Sequence, residues 1–253
     1  MCMRLKQTTG FTILISALGL SLTGAGCGKG TLWSTKDEVK IGQSVCREIE
    51  KDYPLEDPIS PDSQRVRRIG ERLVVHTDQR PGIPYSFKVL DIKDVNAVTI
   101  PGGTLYVFRG LLDLVGDDDD ALACIMGHEI GHTNGRHIAR QYTKQLQTDL
   151  LIGILAQGRS SLVQNIAGVT DELIGLKFSR EDEYDADRRG LSYAYKAGFD
   201  PNGLLHFFDK LKIMEKKTGR GPWPEFILSH PVTKSRMQKA SKIIDTKDYR
   251  YGQ

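Results

Sequence analysis

The stretch ACIMGHEIGHTNG, residues 123–135, decides how this chain is read. Two histidines and a glutamate interrupt a run that is otherwise small or apolar. On a helix, positions four apart share a face, so His128 and His132 stack one above the other. Ala121, Cys124, Ile125 and Gly131 fall on the same side, which makes it an inward face. Two imidazoles there can turn a ring nitrogen toward one cation. Glu129 is offset from His128 by about 100° on the helix, so it is placed to act as a base rather than to join both histidines on one ion. This is the HExxH arrangement of two zinc ligands and a general base. Gly127 and Gly131 leave room for another backbone or a substrate. The bland alternative is a pair of core histidines satisfied by internal hydrogen bonds.

A catalytic zinc needs a third protein ligand. The run FSREDEYDADRRG, residues 178–190, offers five carboxylates on a long helical pattern expected over 169–197. The face of Glu183 carries Leu176, Ser179, Ala186, Asp187, Gly190, Leu191 and Ala194, mostly small or apolar. A bare carboxylate pointing there is costly without a cation, which makes Glu183 the expected third ligand. Asp187, one turn later, is placed to accept the second ring N–H of a ligand histidine and fix its tautomer. Glu181 and Asp185 share their faces with Lys177, Arg188 and Arg189 and read as solvated. His76, His137 and His206 stand apart and read as structural or exposed.

Around these motifs the pattern is mostly helical. Helices are expected over 31–53, 62–76, 118–133, 137–157, 200–217 and 232–244, with a short one at 110–116. Asp117 to Asp120 read as a cap on the positive end of the 118–133 helix, and Asn134-Gly135 as its stop. Three strands, 85–92, 96–100 and 104–108, with the turn signal PGG at 101–103, suggest a small antiparallel sheet. Residues 218–231, TGRGPWPEFILSHP, read as a long loop. The fold class is therefore α+β, mostly helical.

At the N-terminus, Arg4 and Lys6 precede an apolar stretch at 11–22, the length of an export-signal core and short for a membrane span. Gly24-Ala25-Gly26-Cys27 then resembles a bacterial lipoprotein signal, with Gly24 where such signals usually carry Leu. Residues 1–27 are expected to be an export signal with Cys27 lipidated, and residues 28–253 a single domain. Cys46 and Cys124 read as small buried groups rather than as a required disulfide. The charge balance, +3 from 35 basic and 32 acidic residues, gives no reason to expect nucleic acid as a partner.

Taken together, HExxH and the later EYDAD resemble the minigluzincin zinc metallopeptidases, whose members include the CaaX prenyl proteases, the HtpX-type membrane peptidases and periplasmic proteases that tend outer-membrane assembly. NAVTIPGGTLYV (96–107) is similar to that family's strand before the active helix, and LSHP with Arg236 to its late motif. The resemblance covers about residues 35–245. It implies a zincin-like domain holding one Zn2+ on His128, His132 and Glu183, with Glu129 as base. Without multiple membrane helices, the chain looks like the exported branch, periplasmic and membrane-anchored through Cys27. His230 is expected to stabilise the oxyanion, or to sit on the metal as a latent fourth ligand. Arg236 is read as an assisting or a surface residue. Thr104, Leu105, Tyr106 and Val107 are expected to form the sheet edge bordering the cleft and to pair with substrate. The implied activity is endoproteolysis of unfolded or misassembled envelope polypeptides, with outer-membrane assembly proteins among the partners. The alternative is a zinc-stabilised chaperone or assembly factor with little proteolysis.

Overall fold

A computed structural model describes residues 31, 33–78, 80–141, 143–144, 176–218 and 225–249. The leader with Cys27, residues 145–157 of one expected helix, residues 169–175 of another and the 219–224 part of the long loop lie outside them. The elements run α1 (Thr35–Asp52), α2 (Pro61–Val74), β1 (Ser86–Leu90), β2 (Ala97–Thr99), β3 (Thr104–Phe108), α3 (Arg109–Val115), α4 (Asp119–Asn134), α5 (Arg180–Lys196), α6 (Gly203–Thr218), α7 (Glu225–Ser229) and α8 (Lys234–Thr246). This is a mostly helical α+β fold. No helix among the described residues is long and apolar enough to cross a membrane. Cys46 and Cys124 are both free thiols.

The sheet order is β1-β3-β2, with β1 parallel and β2 antiparallel to β3. Two expectations are corrected here: the sheet is mixed, and Thr104 to Val107 lie in its central strand. The residues explain why. Leu105 and Val107 share one core with Val66, Ile69 and Leu73 of α2. Tyr106 and Phe108 share another with Val45 and Ile49 of α1. Both faces of β3 are therefore covered, and both its sides are paired, to Ser86–Leu90 on one and Ala97–Thr99 on the other. One edge strand is β1; the other is β2. Its hairpin to β3 turns through Gly102 and Gly103, at φ 87° and 95°, where only glycine is unstrained. Helix α1 lies directly on that turn, since a Cβ at Gly42 would stand 1.6 Å from Pro101 O.

Helix α4 starts where the aspartate run predicts. Asp118 caps it, accepting from Ala121 N–H at 2.9 Å, and Asp119 and Asp120 lie at its positive end. It ends at Asn134, but Arg136, not Gly135, takes the left-handed conformation, at φ 56°. The Arg136 Nε–H donates to the buried Glu38, which Arg80 also pairs. Helix α5 begins at Arg180, later than the pattern suggested, because Ser179 is its N-cap: it accepts from Asp182 N–H and donates to the Asp182 carboxylate. Such reciprocal capping fixes the start of α5 at this point.

The two motif helices touch through backbone. A Cβ on Gly127 would stand 2.9 Å from Gly190 O, one on Gly131 2.9 Å from Ala186 O, and one on Gly190 2.6 Å from His128 N. The room left by the glycines of the opening stretch is thus filled by α5.

Candidate metal centre

That close approach brings four buried donors together: His128 and His132 from α4, Glu183 from α5, and His230, which follows α7. One ligand atom of each lies within 4.8 Å of all the others. His128 Nε2 is 3.0 Å from His132 Nε2 and 3.2 Å from His230 Nδ1. Glu183 Oε1 is 2.8 Å from His230 Nδ1 and 3.4 Å from His132 Nε2. Glu129 lies beside them. Its Oε2 accepts from Thr99 N–H at 3.1 Å, and its Oε1, facing His230 Nε2 at 3.4 Å, is buried without a hydrogen bond. The edge strand bordering the site is therefore β2, not Thr104 to Val107, which have neighbours on both sides.

Around these donors a second layer sets their orientation. His128 Nδ1 is 2.9 Å from Asp187 Oδ1. A carboxylate only accepts, so Nδ1 carries the proton and Nε2 turns a lone pair to the centre. Arg236, expected to be at most an assisting residue, is 2% exposed. It donates twice to Asp187 and pairs with Glu183 Oε2, although that oxygen receives no aligned hydrogen bond. His137 was expected to stand apart; it is fully buried, with Nδ1 2.8 Å from His132 Nδ1 and Nε2 3.0 Å from Asp185 Oδ2. Asp185, read as solvated, is thereby drawn into the site. Its wheel neighbours Arg188 and Arg189 suggested solvent because a helix wheel omits partners from other segments. His230 is held between Phe178 and Phe226, stacked at ring-centroid distances of 5.3 Å and 4.9 Å. The expected 218–231 loop hides α7, which delivers Phe226 and His230.

Electrostatics follow from this burial. Desolvation pushes the Glu129 carboxyl up and the His132 and His137 imidazoles down. Burial also opposes charge on Glu183, yet His230 and Arg236 hold its carboxyl well below the ordinary range. Asp187 is held low despite burial by Arg236 and His128. His230 is drawn down by burial but raised overall by Glu183 and Glu129. Two buried carboxylates, Glu183 and Asp187, thus share one buried guanidinium, Arg236. A divalent cation such as zinc takes nitrogen and carboxylate donors of this kind. The bare oxygen of Glu129 and a convergent nitrogen and carboxylate donor set fit such an ion.

A family model described as Peptidase family M48 matches residues 60–244. Among curated relatives, the "Beta-barrel assembly-enhancing protease" of Escherichia coli K12 is 29% identical over 231 residues, covering 87% of this chain and 46% of the relative. The "Mitochondrial metalloendopeptidase OMA1" of Arabidopsis thaliana is 29% identical over 224 residues, covering 87% and 44%. The "Metalloprotease LoiP" of Escherichia coli K12 is 24% identical over 225 residues, covering 87% and 85%. The chain thus spans about half the length of the first two relatives and most of the third.

Proposed function

The chain belongs to peptidase family M48 and carries that family's metallopeptidase domain, and from that premise we propose an exported zinc endopeptidase that cleaves unfolded or misassembled envelope proteins. Four buried donors converging beside a glutamate with a bare oxygen carry this conclusion. His128, His132 and Glu183 would hold one zinc ion per chain. When bound, zinc polarises the scissile carbonyl and lowers the pKa of the attacking water toward neutrality from about 16. Glu129 takes that water's proton on Oε1 and delivers it to the leaving amine, while Thr99 N–H steadies Oε2. Asp187, itself fixed by Arg236, keeps the His128 lone pair aimed at the ion.

His230 lies among the donors rather than beside them, which favours a fourth, latent ligand over an oxyanion donor. A catalytic zinc keeps one position open, so activity requires His230 to withdraw. The outer edge of β2 lies next to Glu129, but the Ala97 and Thr99 N–H groups already donate to the Asn96 and Glu129 side chains, so strand pairing by a substrate draws no support from it. Export and a lipid anchor on Cys27 rest on the leader sequence. The envelope context draws support from the printed name of the Escherichia coli relative.

The test is metal analysis with peptide hydrolysis by the parent and Glu129→Gln. The variant is expected to keep about one zinc per chain while turnover falls about 10²–10⁴-fold. Cleavage at the parent rate would remove Glu129 from the role of base. In vivo rescue by a variant that cleaves nothing would favour the assembly-factor alternative. His230→Ala is expected to raise turnover; a loss would return His230 to oxyanion stabilisation.

A further inference from the structure

We propose that His137 and Asp185 form a positioning relay that fixes the tautomer of His132 and so makes it a ligand; this rests on the metal-centre reading above. Asp185 Oδ2 receives two donors, His137 Nε2 at 3.0 Å and Arg189 Nε at 2.8 Å. A carboxylate paired with a guanidinium only accepts, so His137 carries its proton on Nε2. Its Nδ1 is then a bare lone pair, 2.8 Å from His132 Nδ1. The contact is a hydrogen bond only if His132 carries its proton on Nδ1. His132 Nε2 is left as a lone pair among the donors. The opposite polarity would aim an N–H from His132 Nε2 at His128 Nε2, 3.0 Å away, and occupy the electron pair a metal needs.

The packing holds the relay in place. His137 is fully buried, and its ring meets His132 edge-on with centroids 4.8 Å apart. It lies so close to the end of α4 that a Cβ on Gly135 would stand 2.2 Å from His137 Nε2. Gly135 has an ordinary φ of −70°, so its smallness serves this ring rather than a turn. The two ligand histidines of α4 are thus oriented by different means: His128 directly by a carboxylate, His132 through a second imidazole.

The test uses the full chain, zinc itself as probe and chelator competition to read affinity. His137→Phe keeps a buried ring without an acceptor and is expected to weaken zinc binding about 10–100-fold. His137→Asn, whose side-chain oxygen can stand near the place of Nδ1, is expected to recover most of that loss. A change in packing alone would not be rescued in this way. Nitrogen NMR of the labelled histidines in metal-free protein is expected to find His132 protonated on Nδ1. Should His137→Phe fail to fold, Asp185→Ala, at a half-buried position, is expected to weaken zinc binding in the same direction. Parent-like affinity in the folded variants, or a His132 proton on Nε2, would overturn the relay. A parent that binds no zinc would instead sink the metal centre itself, and the tautomer would still decide the relay.

Discussion

Helix α4 is buried along its whole length from Ala121 to Asn134, whereas α5 buries Glu183, a small-residue stripe and Leu191 to Ala194 and leaves Arg180, Glu181 and Arg188 in solvent. Their contributions to the site differ accordingly. From α4 come the two imidazoles and Glu129, and burial favours the neutral forms of His132 and Glu129. From α5 come the anions Glu183, Asp185 and Asp187. A neutral imidazole with one good hydrogen bond sits in an apolar interior at small cost. A buried carboxylate costs several kcal/mol unless a cation faces it. The anionic helix therefore needs Arg236, brought by a third helix whose cap, Thr233, accepts from Arg236 N–H.

The largest break in this contrast is expected from Arg236→Met. It strips the cation from Asp187 and Glu183, and urea unfolding of the metal-free protein is expected to register a loss of about 3–5 kcal/mol. A loss near zero would mean the carboxylates of α5 are neutral when alone. Next comes Gly190→Val, which leaves every charge in place but forces the helix backbones apart. A loss of about 3 kcal/mol is expected, with weakened zinc binding. Stability lost with zinc affinity intact would show that the ligands are gathered without the helix contact.

Smallest is a control outside both helices. Burial disfavours charge on Glu50, but Lys88 at 2.5 Å and the Tyr106 hydroxyl at 2.6 Å outweigh it and lower its pKa. A depressed carboxyl pKa stabilises the fold above the unfolded value, near 4.5, and that contribution fades as pH falls through the folded value. Because the pair is partly exposed, less than about 1 kcal/mol is involved. Glu50→Gln is expected to flatten this part of the acid unfolding profile. An unchanged profile would remove the network from the account of acid stability.

What the sequence disclosed follows the same contrast. Helix α4 was legible throughout, because its motif, cap and stop are all local. Glu183 and Asp187 were placed by their small and apolar wheel neighbours. The order of the sheet was not, because a short apolar strand looks alike at an edge and in the middle: β2 and β3 both send side chains into both cores. His137 was missed because it lies five residues past His132, beyond the helix end, where no periodic rule reaches. Arg236 and the stack around His230 were hidden for a related reason: their partners are remote in the chain, and α7 was read as loop.

The glycine crossing has one more consequence. Because main chain rests on main chain at Gly127, Gly131, Ala186 and Gly190, the gap between imidazoles and carboxylate is gauged by the thickness of two polypeptide backbones. Rotamer hopping cannot widen it. Engineering a preference for a larger cation would have to start at those four positions, with the ligands left as they are.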